Sequence, residues 1–184
     1  MKEGNQISLR DWQLSDLEAF EFWHIGKKRW MEFDAPYYRK PSAVEIQLSV
    51  QQLTERIRRS DWPSPRKRLV IADKETDKLI GTVSWYWQSK ATNWKSIGIA
   101  IYDEAYWGKG IGFEALKLWI DYLFEVSRDI VRLDLRTWSG NERMMNLATK
   151  LGFKEEARFR MARVVNGIYY DSIGMGVLRG EWKK

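Results

Sequence analysis

The sequence predicts a mixed α/β fold, and three observations support this prediction. Three strand-like runs between residues 67 and 102 are joined by short turn-rich segments, which is typical of antiparallel hairpins. Apolar residues at helical spacing follow over 111–126. Two further strand-like runs meet at Asn166–Gly167, a dipeptide typical of tight hairpin turns. We expect residues 1–184 to form a single domain with elements in the order β α α β β β α β α β β.

The first third of the chain supplies one strand and two helices. Partial alternation of apolar residues predicts a strand over Gln6–Trp12. Two Ser…Glu pairs have capping-box spacing, and each is expected to open a helix: Ser15 with Glu18 opens 15–25, and Ser42 with Glu45 opens 42–59. The segment between these helices, Lys27–Pro41, mixes charges, aromatic rings and prolines, so it is expected to form a loop or short irregular helices.

The rest of the chain alternates strands and helices. Ser139 with Glu142 is expected to cap a helix over 141–150 that ends at Gly152. A strand is predicted over Ile130–Trp138. Its apolar face consists of Val131, Leu133 and Leu135, and its charged face consists of Arg132, Asp134 and Arg136. The other predicted strands cover 67–73, 79–88, 95–102, 153–167 and 168–179.

The composition excludes several kinds of site. The chain contains no cysteine, which excludes disulfides, thiolate metal sites and a cysteine nucleophile. No apolar run approaches the roughly 20 residues of a membrane span, and the first residues lack the apolar core of a signal peptide. We therefore expect a soluble, cytoplasmic protein. The formal net charge of +6 favours anionic partners, among which nucleic acid and a phosphorylated small molecule are both options.

The segment Glu104–Leu116, EAYWGKGIGFEAL, has the composition of an anion-binding turn. Its glycines at 108, 110 and 112 lie between a predicted strand and a predicted helix, where backbone N–H groups and the helix N-terminus can bind a phosphate. Lys109 adds a positive charge. The spacing matches neither the Walker A pattern nor the dinucleotide fingerprint G-x-G-x-x-G. The glycines alone are also compatible with a tight packing turn.

Two segments together carry a family resemblance. The segments 96–116, SIGIAIYDEAYWGKGIGFEAL, and 141–153, NERMMNLATKLGF, resemble the GNAT family of acetyl-CoA-dependent N-acetyltransferases. Their Trp-Gly-Lys-Gly and Asn-Glu-Arg sequences look most like the RimJ/RimL-type branch, the ribosomal-protein N-terminal acetyltransferases. The resemblance implies the GNAT-type acyl-CoA N-acyltransferase fold, a central, mostly antiparallel twisted sheet with helices on both faces. It also implies acetyl transfer from acetyl-CoA to a primary amine of a small molecule or of a protein or peptide N-terminus, with no metal.

The resemblance places acetyl-CoA at the glycine turn and the strand before it. Backbone amides of the turn would bind the pyrophosphate, and the strand end would run beside the pantetheine arm. Trp107 stands where many members have Gln or Arg, so one side-chain donor is absent, and Trp107 is alternatively a packing residue behind the turn. The implied cofactor-binding residues are Ala100, Ile101, Tyr102, Trp107, Gly108, Lys109, Gly110, Ile111, Gly112, Phe113 and Asn141.

Asp134 is the candidate general base of such a reaction. It looks like the Glu that some N-terminal acetyltransferases of this family carry on the same strand. The alternative is a structural salt bridge with Arg132 or Arg136, which flank it on the charged face. The tyrosine acid that many members carry is replaced by Ala148, which leaves Asn146, Tyr102 or solvent to protonate the leaving thiolate, if protonation is needed at all.

The resemblance places the acceptor amine beside the first two helices and the segment between them. Trp85, Tyr86 and Trp87 are expected to line the same cavity. Because this region carries several lysines and arginines, an acceptor with an acidic or aromatic part fits better than a polycation such as a polyamine. The candidate acceptor residues are Trp30, Glu32, Asp34, Tyr38, Trp85 and Trp87.

Two alternatives from other functional classes remain open. The first is a CoA-binding protein of the same fold with little or no turnover, because the strand carboxylate often found at Ser96 and the helical tyrosine are both absent. The second is nucleic-acid binding through the basic segment Glu55–Arg68, although no nucleic acid or membrane partner is expected. A homo-oligomer is compatible with the sequence.

Overall fold

The computed structural model describes residues 2–182, which form four α-helices and eight strands. The helices are Asp16–His24 (α1), Ala43–Arg59 (α2), Ile111–Val126 (α3) and Glu142–Lys150 (α4). The strands are Lys2–Glu3 (β1), Ile7–Arg10 (β2), Arg68–Asp73 (β3), Leu79–Ser89 (β4), Trp94–Ile101 (β5), Arg132–Trp138 (β6), Lys154–Val165 (β7) and Ile168–Leu178 (β8). Among these described residues, no helix has the length and apolarity needed to cross a membrane.

All eight strands belong to one sheet, in the order β1-β2-β3-β4-β5-β6-β8-β7. Every neighbouring pair is antiparallel except β5 and β6, which are parallel. Within residues 2–182, only two residue pairs register β5 with β6, namely Lys95 with Leu133 and Ser96 with Asp134. Beyond these pairs the two strands separate, so the sheet opens into a V at its middle.

The helices cover both faces of this sheet. On one face α3 and α4 contribute Leu116, Trp119 and Ala148 to a core that also contains Ile97 of β5. On the other face α1 and α2 pack against a second core that contains Tyr102, just after β5. Because alternate residues of a strand point to opposite faces, β5 contributes to both cores. The predicted mixed α/β fold, with a mostly antiparallel sheet between two helical layers, is confirmed.

The predicted helices form, but two of their predicted caps are wrong. Ser15 has helical dihedral angles and its side chain caps nothing; instead the Asp16 carboxylate accepts a hydrogen bond from the Gln13 N–H at 2.8 Å. The N-cap of α4 is Asn141 rather than Ser139, and its side chain accepts from the Met144 N–H at 3.2 Å. At α4 the Asn141 side chain therefore takes the place of the predicted serine, whereas α1 has no side-chain cap.

The capping box predicted at Ser42 is present, and α4 ends as its glycine predicts. The Ser42 hydroxyl accepts from the Glu45 N–H, and the Glu45 carboxylate accepts from the Ser42 N–H at 2.7 Å. Gly152 follows α4 with a φ of +88°, and the N–H of Phe153 donates to the Ala148 carbonyl at 3.0 Å. This is the Schellman arrangement, in which a left-handed residue lets the chain leave the helix.

The strands differ from their predicted bounds mainly at the ends. The sixth strand begins at Arg132, so Val131 lies outside it and is 64% exposed instead of sharing the apolar face with Leu133 and Leu135. The short strand β1 was not predicted, whereas the 3₁₀ turn at Arg29–Glu32 lies in the segment where a loop or short irregular helices were expected. The Asn166–Gly167 turn has φ values of 51° and 78°, which fit the left-handed turn of a tight hairpin.

A buried ion pair joins the first strand–helix connection to the β3–β4 turn. The Arg10 guanidinium donates to both Asp16 carboxylate oxygens at 2.8 and 2.9 Å, and both side chains are almost fully buried. The same guanidinium donates to Asp77 at 2.7 Å, and the Asp77 side chain is largely exposed. Arg10 therefore fixes three separate segments relative to each other.

Candidate active site

A cavity of about 650 Å³ lies in the V where β5 and β6 separate. Backbone and side chains of 97–101 from β5 form one wall, and 135–138 from β6 form the other. The glycine turn at 107–113, residues 141–150 of α4 and the segment 30–37 close the remaining sides. The separation of two strands thus creates a deep site at the centre of the sheet.

Glycine is required at two positions of the turn because of the backbone conformation. Gly108 and Gly110 have φ values of +75° and +83°, which L side chains rarely adopt. Gly110 is also the N-cap of α3, so the first N–H groups of this sixteen-residue helix lie at the cavity wall without intrahelical acceptors. Such a turn presents N–H donors and the positive end of the helix dipole to an anion.

The third glycine of the turn serves close packing. A Cβ on Gly112 would lie only 3.1 Å from Cδ2 of Leu147, a residue of α4. Glycine at this position therefore lets α3 approach α4 closely. The two helices together frame the part of the cavity beside the turn.

Trp107 both anchors the turn and lines the cavity. Its indole N–H donates to the Ile101 carbonyl at 3.0 Å, which ties the turn to the end of β5. The Phe33 ring meets it edge-on at 5.6 Å, and the Arg143 guanidinium lies 4.8 Å from its ring centre. Trp107 therefore packs behind the turn and also lines the cavity. The side-chain donor that many family members have at this position is absent, but a cation, Arg143, lies beside the turn.

Asn141 connects α4 to the segment 30–37. Its amide nitrogen donates to the Phe33 carbonyl at 3.1 Å, and the Trp138 indole N–H donates to the same carbonyl at 3.1 Å. Asn141 lines the cavity, but its side chain is already engaged in these internal bonds and in the α4 cap. Its main effect on the site is to position the loop and the helix.

Asp134 lies at the closed end of the V. It is 2% exposed, and it is registered opposite Ser96, whose hydroxyl donates to its carboxylate. Burial raises the pKa of Asp134, while the Ser96 hydrogen bond and the positive charge of Arg136 oppose that rise. The Arg136 Nε lies 3.5 Å from the carboxylate, so the salt bridge proposed as the alternative is also formed. Arg136 lines the cavity, whereas Asp134 lies behind that lining.

The structure brings together most of the predicted cofactor residues. Tyr102 and Lys109 are the two that do not line the cavity. The Tyr102 side chain points into the α1/α2 core, where its hydroxyl is hydrogen bonded to Thr82 at 2.9 Å and burial raises its pKa to about 12. The residues that do line the cavity are Ala100, Ile101, Trp107, Gly108, Gly110, Ile111, Gly112, Phe113 and Asn141.

Only two of the six candidate acceptor residues line this cavity, Trp30 and Asp34. Glu32 and Tyr38 are on the surface outside it. Trp85 and Trp87 were expected in the same cavity but belong to the core on the α3 side, where the Lys95 ammonium lies 4.4 and 4.8 Å from their rings. The prediction for these two tryptophans fails because their rings pack in or against the α3-side core and neither residue lines this cavity.

Several lining residues were not predicted for the site. Tyr37 and Trp138 face each other edge-on at 6.4 Å across the acceptor end, and Arg143 and Lys150 add positive charge from α4. The aromatic composition of the segment 30–38 was a usable signal for Tyr37. No local sequence pattern distinguishes the other three, because they reach the cavity through the packing of α4 and β6.

Comparison with known proteins agrees with this geometry. A family model described as "Acetyltransferase (GNAT) domain" matches residues 6–154. The protein named "Uncharacterized N-acetyltransferase p20" of Bacillus licheniformis is 24% identical over 177 residues, covering 96% of this chain and 95% of that protein.

Two solved structures show the same fold. Spermidine N-acetyltransferase from Vibrio cholerae, in complex with CoA and spermine, has a TM-score of 0.74 and 21% identity, covering 97% of this chain and 98% of that chain. Ribosomal-protein-S5-alanine acetyltransferase from Vibrio fischeri has a TM-score of 0.73 and 23% identity, covering 100% and 98%.

The chain belongs to the GNAT family of acetyltransferases. It is an acetyl-CoA-dependent N-acetyltransferase, and acetyl-CoA is its cosubstrate. The observed turn fits this donor, because left-handed glycines and the free N–H groups of α3 form a cradle for a pyrophosphate next to a long, largely apolar channel.

Proposed function

We propose that acetyl transfer to a primary amine takes place in the V-shaped cavity between β5 and β6. The observation that carries this proposal is the continuity of the cavity. It runs from the glycine turn, whose N–H groups suit an anion, to Leu135 and Arg136, the neighbours of the buried Asp134 carboxylate, whose pKa is raised. Donor binding and proton transfer can then occur at opposite ends of one channel.

The donor end consists of backbone N–H groups and two cations. The N–H groups at 108–113 would hold the pyrophosphate, and Arg143 and Lys150 add positive charge beside them. The unpaired edge of β5 over 97–101 would run beside the pantetheine arm and offer backbone N–H groups to the thioester oxygen. When bound, acetyl-CoA supplies the activated acyl group, so the chain has to position the amine and move its proton.

Asp134 is proposed as the group that accepts the amine proton. Its raised pKa makes it a stronger base than an ordinary carboxylate, and the Ser96 hydroxyl holds it in one orientation. For the leaving thiolate, Asn146 lines the cavity, but an amide does not release a proton at neutral pH. Solvent is therefore the proposed proton source, if the thiolate is protonated at all.

The acceptor is proposed to carry an acidic or aromatic part. Of the charged residues that line the cavity, Arg143 and Lys150 are assigned above to the pyrophosphate, which leaves Asp34 and Arg136 for the acceptor. The Arg136 guanidinium suits a carboxylate on the acceptor, and aromatic rings line the same end of the cavity. The likeness to a ribosomal-protein acetyltransferase supports a protein or peptide N-terminus as one acceptor, and a small amino-carboxylate is the other.

One observation favours a second candidate, a CoA-binding protein with little turnover. Asp134 lies behind the cavity lining and is engaged with Ser96 and Arg136. Thiol release from acetyl-CoA with a panel of amines and peptides decides between the two. Turnover with any acceptor supports the acetyltransferase, whereas tight CoA binding without thiol release from any acceptor supports the second candidate.

A further inference from the structure

A second cavity, of about 390 Å³, lies between α2, the connector 60–67 and the strands β3 and β4. Its lining combines aromatic and basic side chains and, within the described residues, contains no carboxylate. The aromatic members are Trp12, Phe20, Trp62, Trp85 and Tyr86, and the basic members are Arg56, Arg66, Lys67 and Arg68. This composition suits a ligand that is anionic and partly apolar.

Within the described residues, three of the four cations have no carboxylate as a salt-bridge partner. Arg66 forms a salt bridge with Asp11 at 2.8 Å. In the part of the chain that the structure describes, residues 2–182, the other three basic members of the lining form no salt bridge. Their uncompensated charge is concentrated around one cavity, and a bound anion would relieve their mutual repulsion.

The second cavity adjoins the first through one row of the sheet. Ser84 of β4 is registered with Arg68 on one side and with Gly98 on the other. Ser84 lines the second cavity and Gly98 lines the first. A Cβ on Gly98 would come within 3.3 Å of the Ser84 Oγ, so glycine lets the Ser84 side chain pack closely against β5. Three adjacent strands span about 10 Å between the backbones of Arg68 and Gly98.

We propose that the second cavity is an extension of the acceptor site that binds a carboxylate or phosphate about 10 Å from the β5 wall of the first cavity. The proposal rests on the acetyl transfer proposed above. It names the acceptor class as an amine with an anion at that distance, such as a peptide with an acidic third residue, since three extended residues span about 10 Å. It also explains the basic segment Glu55–Arg68, which supplies six residues of this lining.

The test uses tetrapeptide amides that differ only in the third residue: Glu, phosphoserine, Gln or Lys. We expect kcat/KM to be about tenfold higher for the Glu and phosphoserine peptides than for the Lys peptide. The ratio between the Glu and phosphoserine peptides distinguishes a carboxylate site from a phosphate site. Equal kcat/KM for all four peptides would overturn the proposal.

Matched variants locate the effect. In Arg56→Gln and Arg68→Gln the preference for an acidic third residue should fall toward unity. Arg58→Gln removes the same charge from the same helix at a residue that lines neither cavity, so it should keep the preference. An equal loss in all three variants would assign the preference to net charge alone and contradict the proposal.

Binding of the unreactive N-acetylated peptides separates this proposal from the proposed function. Calorimetry should show tighter binding of the N-acetyl Glu peptide than of the Lys peptide, with the difference lost in Arg68→Gln. If the N-acetyl Glu peptide binds more tightly but no free peptide is acetylated, the assignment of the second cavity as an anion site is supported and the proposed acetyl transfer is contradicted. If an RNA oligonucleotide binds in an Arg68-dependent way and the acidic peptides do not, the cavity is a nucleic-acid site and the proposal is wrong.

Discussion

At the scale of single residues, the buried carboxylate of Asp134, the proposed base, carries a cost to stability. A buried carboxyl whose pKa is raised binds its proton more tightly in the folded chain than in the unfolded chain. Its contribution to stability is therefore present at low pH and is lost as the pH rises through the folded pKa. A base, in contrast, works only above that pKa. The pH range in which Asp134 can serve as the proposed base is therefore the range in which its charge destabilises the fold.

Substitution Asp134→Asn should separate these two effects. We expect kcat to fall by about 10²- to 10⁴-fold, because the amide cannot accept the proton. The melting temperature of the variant relative to the wild type should rise with pH, starting above the ordinary carboxyl pKa of 3.8, since the variant has no charge to bury. Thermal unfolding and thiol-release assays over a pH series measure both. Unchanged kcat would remove Asp134 from the mechanism.

Two glycines with the same backbone conformation distinguish strain from ligand contact. Gly108 and Gly26 have φ values of +75° and +74°, and a Cβ on either would meet no atom within 4 Å. Each Gly→Ala substitution should cost about 1–2 kcal/mol of stability. Only Gly108→Ala should also raise the KM for acetyl-CoA, by about tenfold, because only Gly108 lines the cavity. Equal KM values for the two variants would contradict a cofactor role for the turn.

At the scale of elements, the two predicted capping boxes give a matched comparison. Ser42 caps α2 through the Glu45 N–H, whereas Ser15 makes no cap bond to α1. Ser42→Ala should therefore reduce the free energy of unfolding by about 1 kcal/mol, and Ser15→Ala by a few tenths at most. Urea unfolding of both variants checks this. A loss for Ser15→Ala as large as for Ser42→Ala would show that α1 depends on its serine after all.

The elements that were predicted well are those whose signal is local. The α3 helix has its predicted bounds, 111–126, because its apolar stripe and glycine N-cap lie within the same segment. The Asn166–Gly167 hairpin is likewise specified by its own two residues. The Ser15 cap fails because the first turn of α1 is organised by Arg10, which arrives from β2. Sequence spacing cannot show such a tertiary competitor.

The same distinction applies to the candidate site. The glycine turn could be predicted because its three glycines and its lysine lie within five consecutive residues, and the turn does lie at the cavity. Trp85 and Trp87 were misplaced because the side of the sheet that a strand residue faces depends on register with its neighbours. The second cavity could not be predicted, since Arg56 and Ser84 meet only after α2 packs on β4.

At the scale of the whole molecule, one buried arginine connects distant parts of the chain. Asp16→Asn should leave the Arg10 charge buried with a weakened partner and cost about 3–5 kcal/mol of stability. Asp77→Asn removes a carboxylate whose side chain is 56% exposed and should cost less than about 1 kcal/mol. Denaturant unfolding of the two variants measures the difference. Equal costs would show that burial does not decide the strength of this network.

The V in the sheet also has a consequence for backbone dynamics. Since only two residue pairs register β5 with β6, the facing backbone groups of 97–101 and 135–138 have no neighbouring strand within the described chain. Their amide hydrogens should exchange rapidly with solvent deuterium in the free protein, as at an outer sheet edge. Donor bound in the V would act as a missing strand and slow this exchange in both segments at once. Deuterium uptake measured by mass spectrometry, with and without CoA, would then show whether the bound donor bridges the strands on the β5 side of the V and those on the β6 side.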